Sequence, residues 1–500
     1  VTLEPIGLAV LLAGLTCLFA GPAFSVYALC VAALLQSAAA IVLTSLGGAS
    51  IQPAHLLLLF FLIAMLRYGQ TIRGMVEAAR PPNPGFWLVV LLIYALLSAV
   101  FLPRLFEGMT YVFGNSREGG GSDLPLLPLA PNSGNITQSG YFAGNVICFL
   151  VVAAYARQPR QATVVANAVL VCCVANLFFA LLDQFTALTN TTDLMQPLRN
   201  ASYKMLDDGR VFGFKRLVGT FPEASAYAFV TLGLFGFSFS LWLRQYRTRL
   251  TGAIWLLLFI SLMISTSSTA YAGLTLYLAL VYGGSLARMA RGSATFNMSR
   301  LVFIAPFVGL FLLLMLQFSD AAWRAVAETL DTFLFNKMAT ASGIERARWN
   351  QQAIVNFFDS YGLGTGLGSV RSSSFLTSTL GNVGLVGLVA FAAFFAAMLR
   401  RSGQRQGGPE VAILREAAGS GCLALLVAAS VSGGSIDLGL LFCMLAGLAC
   451  ADTIPALAVR VRGGAWPGDS DFGRSAARER GFGPPLGNAD FKDRQRSTAA

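Results

Sequence analysis

A chain of 500 residues that is 55% hydrophobic and only 12% charged is not built like a soluble enzyme, which carries about 25% charge. Its formal net charge is +11, and its one histidine, His55, excludes a histidine-based metal centre. The eight cysteines all sit inside apolar runs and read as small buried side chains rather than zinc ligands.

A hydrocarbon core of about 30 Å needs roughly 20 helical residues, and apolar runs of that order recur from end to end. The pattern predicts an all-α polytopic helical membrane protein with about 12–13 transmembrane helices. The predicted spans are about 5–21, 24–46, 51–66, 86–102, 141–157, 163–182, 222–243, 251–267, 269–287, 301–318, 376–399, 417–433 and 437–454. No cleavable signal peptide is expected, because no basic segment precedes the first run and the second follows at once. Short basic loops set orientation. RYGQTIRGMVEAARPP from Arg67, RQPRQ from Arg157, RQYRTR from Arg244, RMARGSATFNMSR from Arg288 and RRSGQRQ from Arg400 fall on one side, which makes that side the cytoplasm. The reading divides the chain into a helical bundle over 1–456 and a basic, Gly-rich tail over 457–500, expected to be cytoplasmic and disordered.

Three long loops then face outwards, at about 103–140, 183–221 and 319–375. The first contains GNSREGGGSDLP and reads as flexible. The other two are large, periplasmic if the cell is bacterial, and basic. The second carries Arg199, Lys204, Arg210, Lys215 and Arg216, and ends in RLVGTFPEASA at the mouth of a span. The third carries Arg324, Lys337, Arg346, Arg348 and Arg371. Guanidinium forks match phosphate geometry and stay charged, so two such clusters suit an anionic ligand at the membrane surface. The competing reading is a solvated face, or ion pairs with Asp207, Asp208 and Asp359. ERARWNQQAIVNFF, from Glu345, is amphipathic, with Ala347, Ile354 and Phe358 on one face and Arg346 and Asn350 on another. It runs into YGLGTGLGS, whose alternate glycines either present amide N–H groups to an anion or make a plain flexible loop.

The order of these features resembles the O-antigen ligase and polymerase superfamily over about 185–398. RLVGTFPEASAYA is similar to the family's arginine–glycine–phenylalanine approach to a middle span, and STSSTAYAGL, from Ser265, to its Ser/Thr-rich break between the next two. SGIERARWNQQAIVNFFDSYGLGTGLGS, from Ser342, resembles the large-loop segment, and SSSFLTSTLGNVGLVGL, from Ser372, the start of the following span. The resemblance implies a Wzy-like glycan polymerase: a metal-independent, inverting glycosyltransferase that joins polyprenyl-diphosphate-linked oligosaccharide repeat units at the periplasmic face of the bacterial inner membrane. It implies no cofactor and no nucleic acid, with a chain-length regulator and a flippase as partners. Arg216 and Arg346 match the family's arginines of the second and third loops. Ligases of the family carry a histidine where this chain has Ser372, Ser373 and Ser374, so polymerase is preferred to ligase. His55, in QPAHLLLLFF, reads as a polar anchor at a span's end. A transporter or flippase is the rival of another class, set against by the few charges inside spans and the absence of an evident repeat.

In such a transfer a stable diphosphate leaves, so preorganised cations matter most. Arg216 and Arg346 are the expected clamp, with Arg348 and Lys215 in support. A carboxylate must take the acceptor hydroxyl's proton, worth about 10²–10⁴-fold. Glu345 and Glu223 are nearest the arginines in sequence. Glu223 also suits plain charge compensation at a helix N-terminus, and Glu345 an exposed loop. Thr220 and Ser225 are candidates to hydrogen-bond sugar or phosphate.

Overall fold

The structure, a computed structural model, describes residues 1–43, 49–67, 70–114, 124–189, 191, 194–201, 210–211, 214–318, 323–324, 327, 341–404 and 407–452. The helices are α1 (Pro5–Ala20), α2 (Pro22–Ala32), α3 (Pro53–Leu66), α4 (Gln70–Ala78), α5 (Gly85–Leu105), α6 (Ser133–Tyr155), α7 (Pro159–Thr189), α8 (Ala224–Leu243), α9 (Thr248–Ile264), α10 (Ser268–Ala290), α11 (Phe296–Phe318), α12 (Ala341–Asp359), α13 (Phe375–Ser402), α14 (Pro409–Ser432) and α15 (Gly439–Cys450). Among the described residues, eight helices are long and apolar enough to cross a membrane: α5, α6, α7, α8, α10, α11, α13 and α14. The pair α3–α4 passes the same test but bends by 114° at its break, and α1, α2, α9 and α15 are shorter apolar helices. The chain is therefore an all-α polytopic helical protein, and every predicted span contains an apolar helix.

Helix α8 is apolar on all sides because it is enclosed on all sides: 83% of its apolar window is buried. It lies against α14 through its small residues. A Cβ on Gly233 would stand 2.5 Å from the Leu425 side chain, and one on Gly236 would stand 2.6 Å from Ala424 Cβ. Only glycine lets the two backbones come this close. At the other extreme, α11 exposes Phe303, Phe307 and Phe311, as a helix solvated by lipid tails would.

One end of the helix array is held by ion pairs. Glu416 of α14 accepts from Arg244 and Arg288, which follow α8 and close α10. Arg415 is fully buried and donates to the carbonyls of Arg401 and Ala449, in the last turns of α13 and α15. Its cation thus sits at the C-terminal ends of two helices, where the helix dipole favours positive charge.

At the opposite end α3, α6, α8, α13 and α15 begin and α14 ends. Here the second predicted span departs from a single helix. It is helical only to Ala32, then turns into the strand β2 (Ile41–Leu43), which pairs antiparallel with β1 (Thr2–Leu3) and β3 (Ala49–Ile51). The cause is the segment after α7. Thr220 Oγ1 donates to Leu34 O (2.7 Å), and Ser37 N donates to Thr220 O (3.0 Å). Ala39 N donates to Asn200 Oδ1 at 2.8 Å. These bonds replace the ones that another helical turn would make. Thr220 is fully buried in this role, so its hydroxyl is spent on Leu34 rather than open to a sugar or phosphate.

Helix α12 sits with its polar face inward. Ile354 and Phe358 are exposed, while Ala353 is fully buried. Asn350 Oδ1 accepts from Ser372 Oγ and Ser373 N, both at 2.8 Å, tying α12 to the start of α13. All these elements belong to one compact unit, Val1–Ala456.

Candidate functional site

The segment that carries Arg216 is set by a buried carboxylate. Asp183, near the end of α7, is fully buried. Its Oδ1 accepts from Arg199 Nη2 (2.6 Å) and Lys215 Nζ (3.0 Å), and its Oδ2 from the amides of Val218 (3.2 Å) and Gly219 (3.0 Å). A carboxylate out of water is tolerated only with such full pairing. Two of the basic residues counted towards an anion site, Arg199 and Lys215, are thereby occupied in holding the loop. Lys204, Asp207, Asp208 and Lys337, and the tail over 457–500, lie outside the described residues.

With Lys215 drawn to Asp183, its neighbour Arg216 turns to the break between α9 and α10, where Nη2 donates to Thr266 O at 3.0 Å. Arg216 Nε is buried and finds no partner among the protein's own groups, and the hydroxyls of Thr266, Ser267 and Thr269 in the same break are in the same state. Burial pulls the Arg216 guanidinium below its ordinary range, the charge of Arg346 acts in the same direction, and Glu223 and Tyr271 oppose it. The three residues named in the sequence as Arg216, Glu223 and Arg346 are thus close enough for their charges to act on one another.

Glu223 sits at the N-cap of α8. Its carboxylate pairs with Arg346 Nη2 at 3.3 Å and accepts from Ser225 Oγ. Arg346 also donates to Ser432 Oγ (3.3 Å), at the end of α14. The second and third loops therefore meet at this end of the array, as their common parity predicts. Glu345, on the first turn of α12, is half-buried, and Arg348 is exposed; neither lines the cavity described next.

Beside the Glu223–Arg346 pair lies a cavity of about 410 Å³, lined by Glu223, Ser225, Ser432, His55, Asn145 and Asp437 among others. His55, read in the sequence as a polar anchor, is brought here by α3, with its ring edge-on to Tyr141 at 4.5 Å. His55 Nε2 lies 3.2 Å from Asn145 Oδ1, and Asn145 Nδ2 donates to Asp437. A second, apolar cleft of about 340 Å³ runs between α3 and α6, and it shares His55 and Tyr141 with the first.

The glycine run makes no anion nest. Gly362, Gly364, Gly366 and Gly368 all have positive φ, between +79° and +103°, but their amides are spent inside the protein. Gly364 N donates to Ser360 Oγ, Gly366 N to Asn382 O and Gly368 N to Asn382 Oδ1. The turn is a packed clasp between α12 and α13, and it fixes the direction in which α12 presents Arg346.

The sequence reading missed Asp183, Asn145, Asp437 and Ser432. The signal for the first two was visible: an aspartate in ALLDQF and an asparagine in YFAGNV interrupt apolar runs, where polar groups are expensive. No protein-family model matches this chain, and comparison with curated proteins finds no match.

Proposed function

We propose that the chain is an integral membrane glycan polymerase of the O-antigen ligase and polymerase kind. In this reading it joins polyprenyl-diphosphate-linked oligosaccharide repeat units at the outer face of the bacterial inner membrane, for exopolysaccharide or O-antigen synthesis. One observation carries the reading: cationic and unpaired polar groups gather around Glu223 and the break between α9 and α10. Arg346 pairs with Glu223, whose charge also acts on Arg216, and Arg216 Nε and the hydroxyls of Thr266, Ser267 and Thr269 are buried without partners. Unpaired buried donors are costly, and a diphosphate would satisfy them.

The chemistry follows. The acceptor hydroxyl attacks the anomeric carbon from the face opposite the diphosphate, and the C1–O bond breaks with its electron pair on phosphate. Arg216 and Arg346 hold the charge that develops there, which is worth most where water is excluded. Lys215 contributes by fixing the loop through Asp183. The apolar cleft between α3 and α6 receives the start of the polyprenyl chain, since it joins the polar cavity at His55 and Tyr141. Orientation follows from the short basic loops: the Glu416 end is cytoplasmic, about 12–13 spans cross the membrane, and the two large loops lie outside.

A ligase that hands the glycan to another acceptor is the second reading. What favours it is His55, a histidine that reaches the cavity from α3 although none follows the third loop. The test is genetic. Cells lacking the chain should accumulate a single mild-acid-labile lipid-linked repeat unit and lose long polymer. A ligase would instead leave long lipid-linked polymer unattached. Deletion that changes neither glycan pool refutes both.

A further inference from the structure

The cavity holds a second carboxylate. Asp437 lies on the turn between α14 and α15. Ser435 Oγ donates to its Oδ1 at 2.5 Å, and the Asn145 amide donates to its Oδ2. Because the amide nitrogen of Asn145 is committed to a carboxylate, its oxygen faces His55 Nε2, 3.2 Å away. An amide oxygen only accepts, so Nε2 carries the imidazole proton and donates it. Nδ1 is left as the bare nitrogen, buried and without a partner. Three separate elements, α3, α6 and the 433–438 turn, thus build one directed chain, His55 to Asn145 to Asp437, in the wall of the cavity that Glu223 also lines.

Such a chain does nothing for packing that a leucine at 145 would not do better. Asn145 is buried, and a buried polar chain is costly unless all its members are satisfied. Glu223, meanwhile, is paired with the Arg346 cation and also accepts from Ser225. Asp437 accepts from two neutral donors, Ser435 and Asn145, keeps lone pairs for a third, and lines the space where an acceptor sugar would sit.

We propose that Asp437 is the general base for the acceptor hydroxyl, with Asn145 and His55 as its positioning residues; this rests on the glycosyl-transfer reading above. In the step, the acceptor O–H bond breaks and its proton goes to an Asp437 oxygen. The freed electron pair forms the bond to the anomeric carbon, and the C1–O pair departs with the diphosphate. Asp437 then returns the proton to water in the cavity. Glu223 serves instead to hold Arg346 in place.

The test uses the full chain expressed in cells that lack the native copy, extracted with its surrounding lipid. Two quantities are read: polymer made by the cells, and the cells' own lipid-linked glycan that co-purifies with the protein, released by mild acid and identified by mass. Asp437→Asn should cut polymer about 10²–10⁴-fold while retaining co-purified lipid-linked glycan at the wild-type level. Asp437→Glu should restore part of the polymer. His55→Gln keeps a donor towards Asn145 and should cost no more than about tenfold in polymer, with lipid-linked glycan still bound. Arg346→Ala should lose both quantities. Asp437→Asn with polymer within threefold of wild type overturns the base assignment, as does loss of bound glycan to the Arg346→Ala level. If Asp437→Asn is not recovered as a folded protein, failure of Asp437→Glu to restore any polymer in a folded, glycan-bound protein overturns it. Wild-type cells that make no polymer through this chain, and wild-type protein that carries no lipid-linked glycan, sink the glycosyl-transfer reading itself.

Discussion

Replacing Asp183 with asparagine changes one charge and almost no volume, yet it should release the segment that bears Arg216. The side chains left behind are Arg199, 3% exposed, and Lys215, 13% exposed. Both would face a neutral amide in a place where water cannot replace the lost carboxylate. Breaking a buried ion pair on one side costs about 3–5 kcal/mol. At 1.4 kcal/mol per factor of ten, local opening becomes more frequent by about a hundred-fold to a few thousand-fold. The opening is confined to the loop, because α7 and α8 keep their apolar contacts with the rest of the bundle. Hydrogen exchange on peptides spanning 214–221 should accelerate by that factor, while peptides from the α8–α14 contact stay protected. Asp183→Ala should go further, since the amides of Val218 and Gly219 also lose their acceptor. Unchanged exchange at 214–221 in Asp183→Asn would refute the claim that this carboxylate holds the loop.

The remaining expectations are more local. Arg346→Ala should lower transfer by about 10²–10³-fold, the loss of about 2.7–4 kcal/mol of transition-state stabilisation, and lysine should restore only part because it lacks the planar fork; polymer yield measures it. Gly366→Ala should destabilise the clasp by about 1–3 kcal/mol, because φ is +103° and the new Cβ would meet Ser98 O at 2.7 Å; thermal unfolding in detergent reads this. All eight native cysteines are buried, so single cysteines report topology cleanly. Ser133→Cys and Ser342→Cys should react with an impermeant maleimide added outside intact cells, and Arg291→Cys only after the cells are opened.

The eight long apolar helices were legible because each follows an uninterrupted apolar run of membrane length, whereas the helices at the other five predicted spans are shorter or bent. The exception at 33–43 shows what interrupts a helix: contacts from Asn200 and Thr220, more than a hundred residues away, which no local pattern reports. Loop parity placed the segments of Glu223 and Arg346 at the same end, but their pairing, across 123 residues, appears only in the structure. Lys215 illustrates the reverse. It stands beside Arg216 in the chain, but alternation turns it to Asp183, so neighbours in sequence do different work. Loop composition suggested that glycines 362–368 were free to bind or to flex. Their positive φ values are used instead for close packing on Asn382, Ser98 and Gly134, which a sequence cannot show because the partners are remote. Asn145 and Asp437 escaped notice for the same reason: each is an unremarkable polar residue until α3, α6 and the 433–438 turn converge.

The most direct measurement of the central claim is transfer by the purified chain alone. Lipid-linked repeat units, extracted from cells that lack the chain, are placed in liposomes with the protein in the presence of a metal chelator. The account predicts a ladder of longer lipid-linked glycans, with one polyprenyl diphosphate released for each new glycosidic bond, and no ladder with Arg346→Ala. Intact single units after prolonged incubation with folded wild-type protein, or their movement across the bilayer without any new bond, would contradict it.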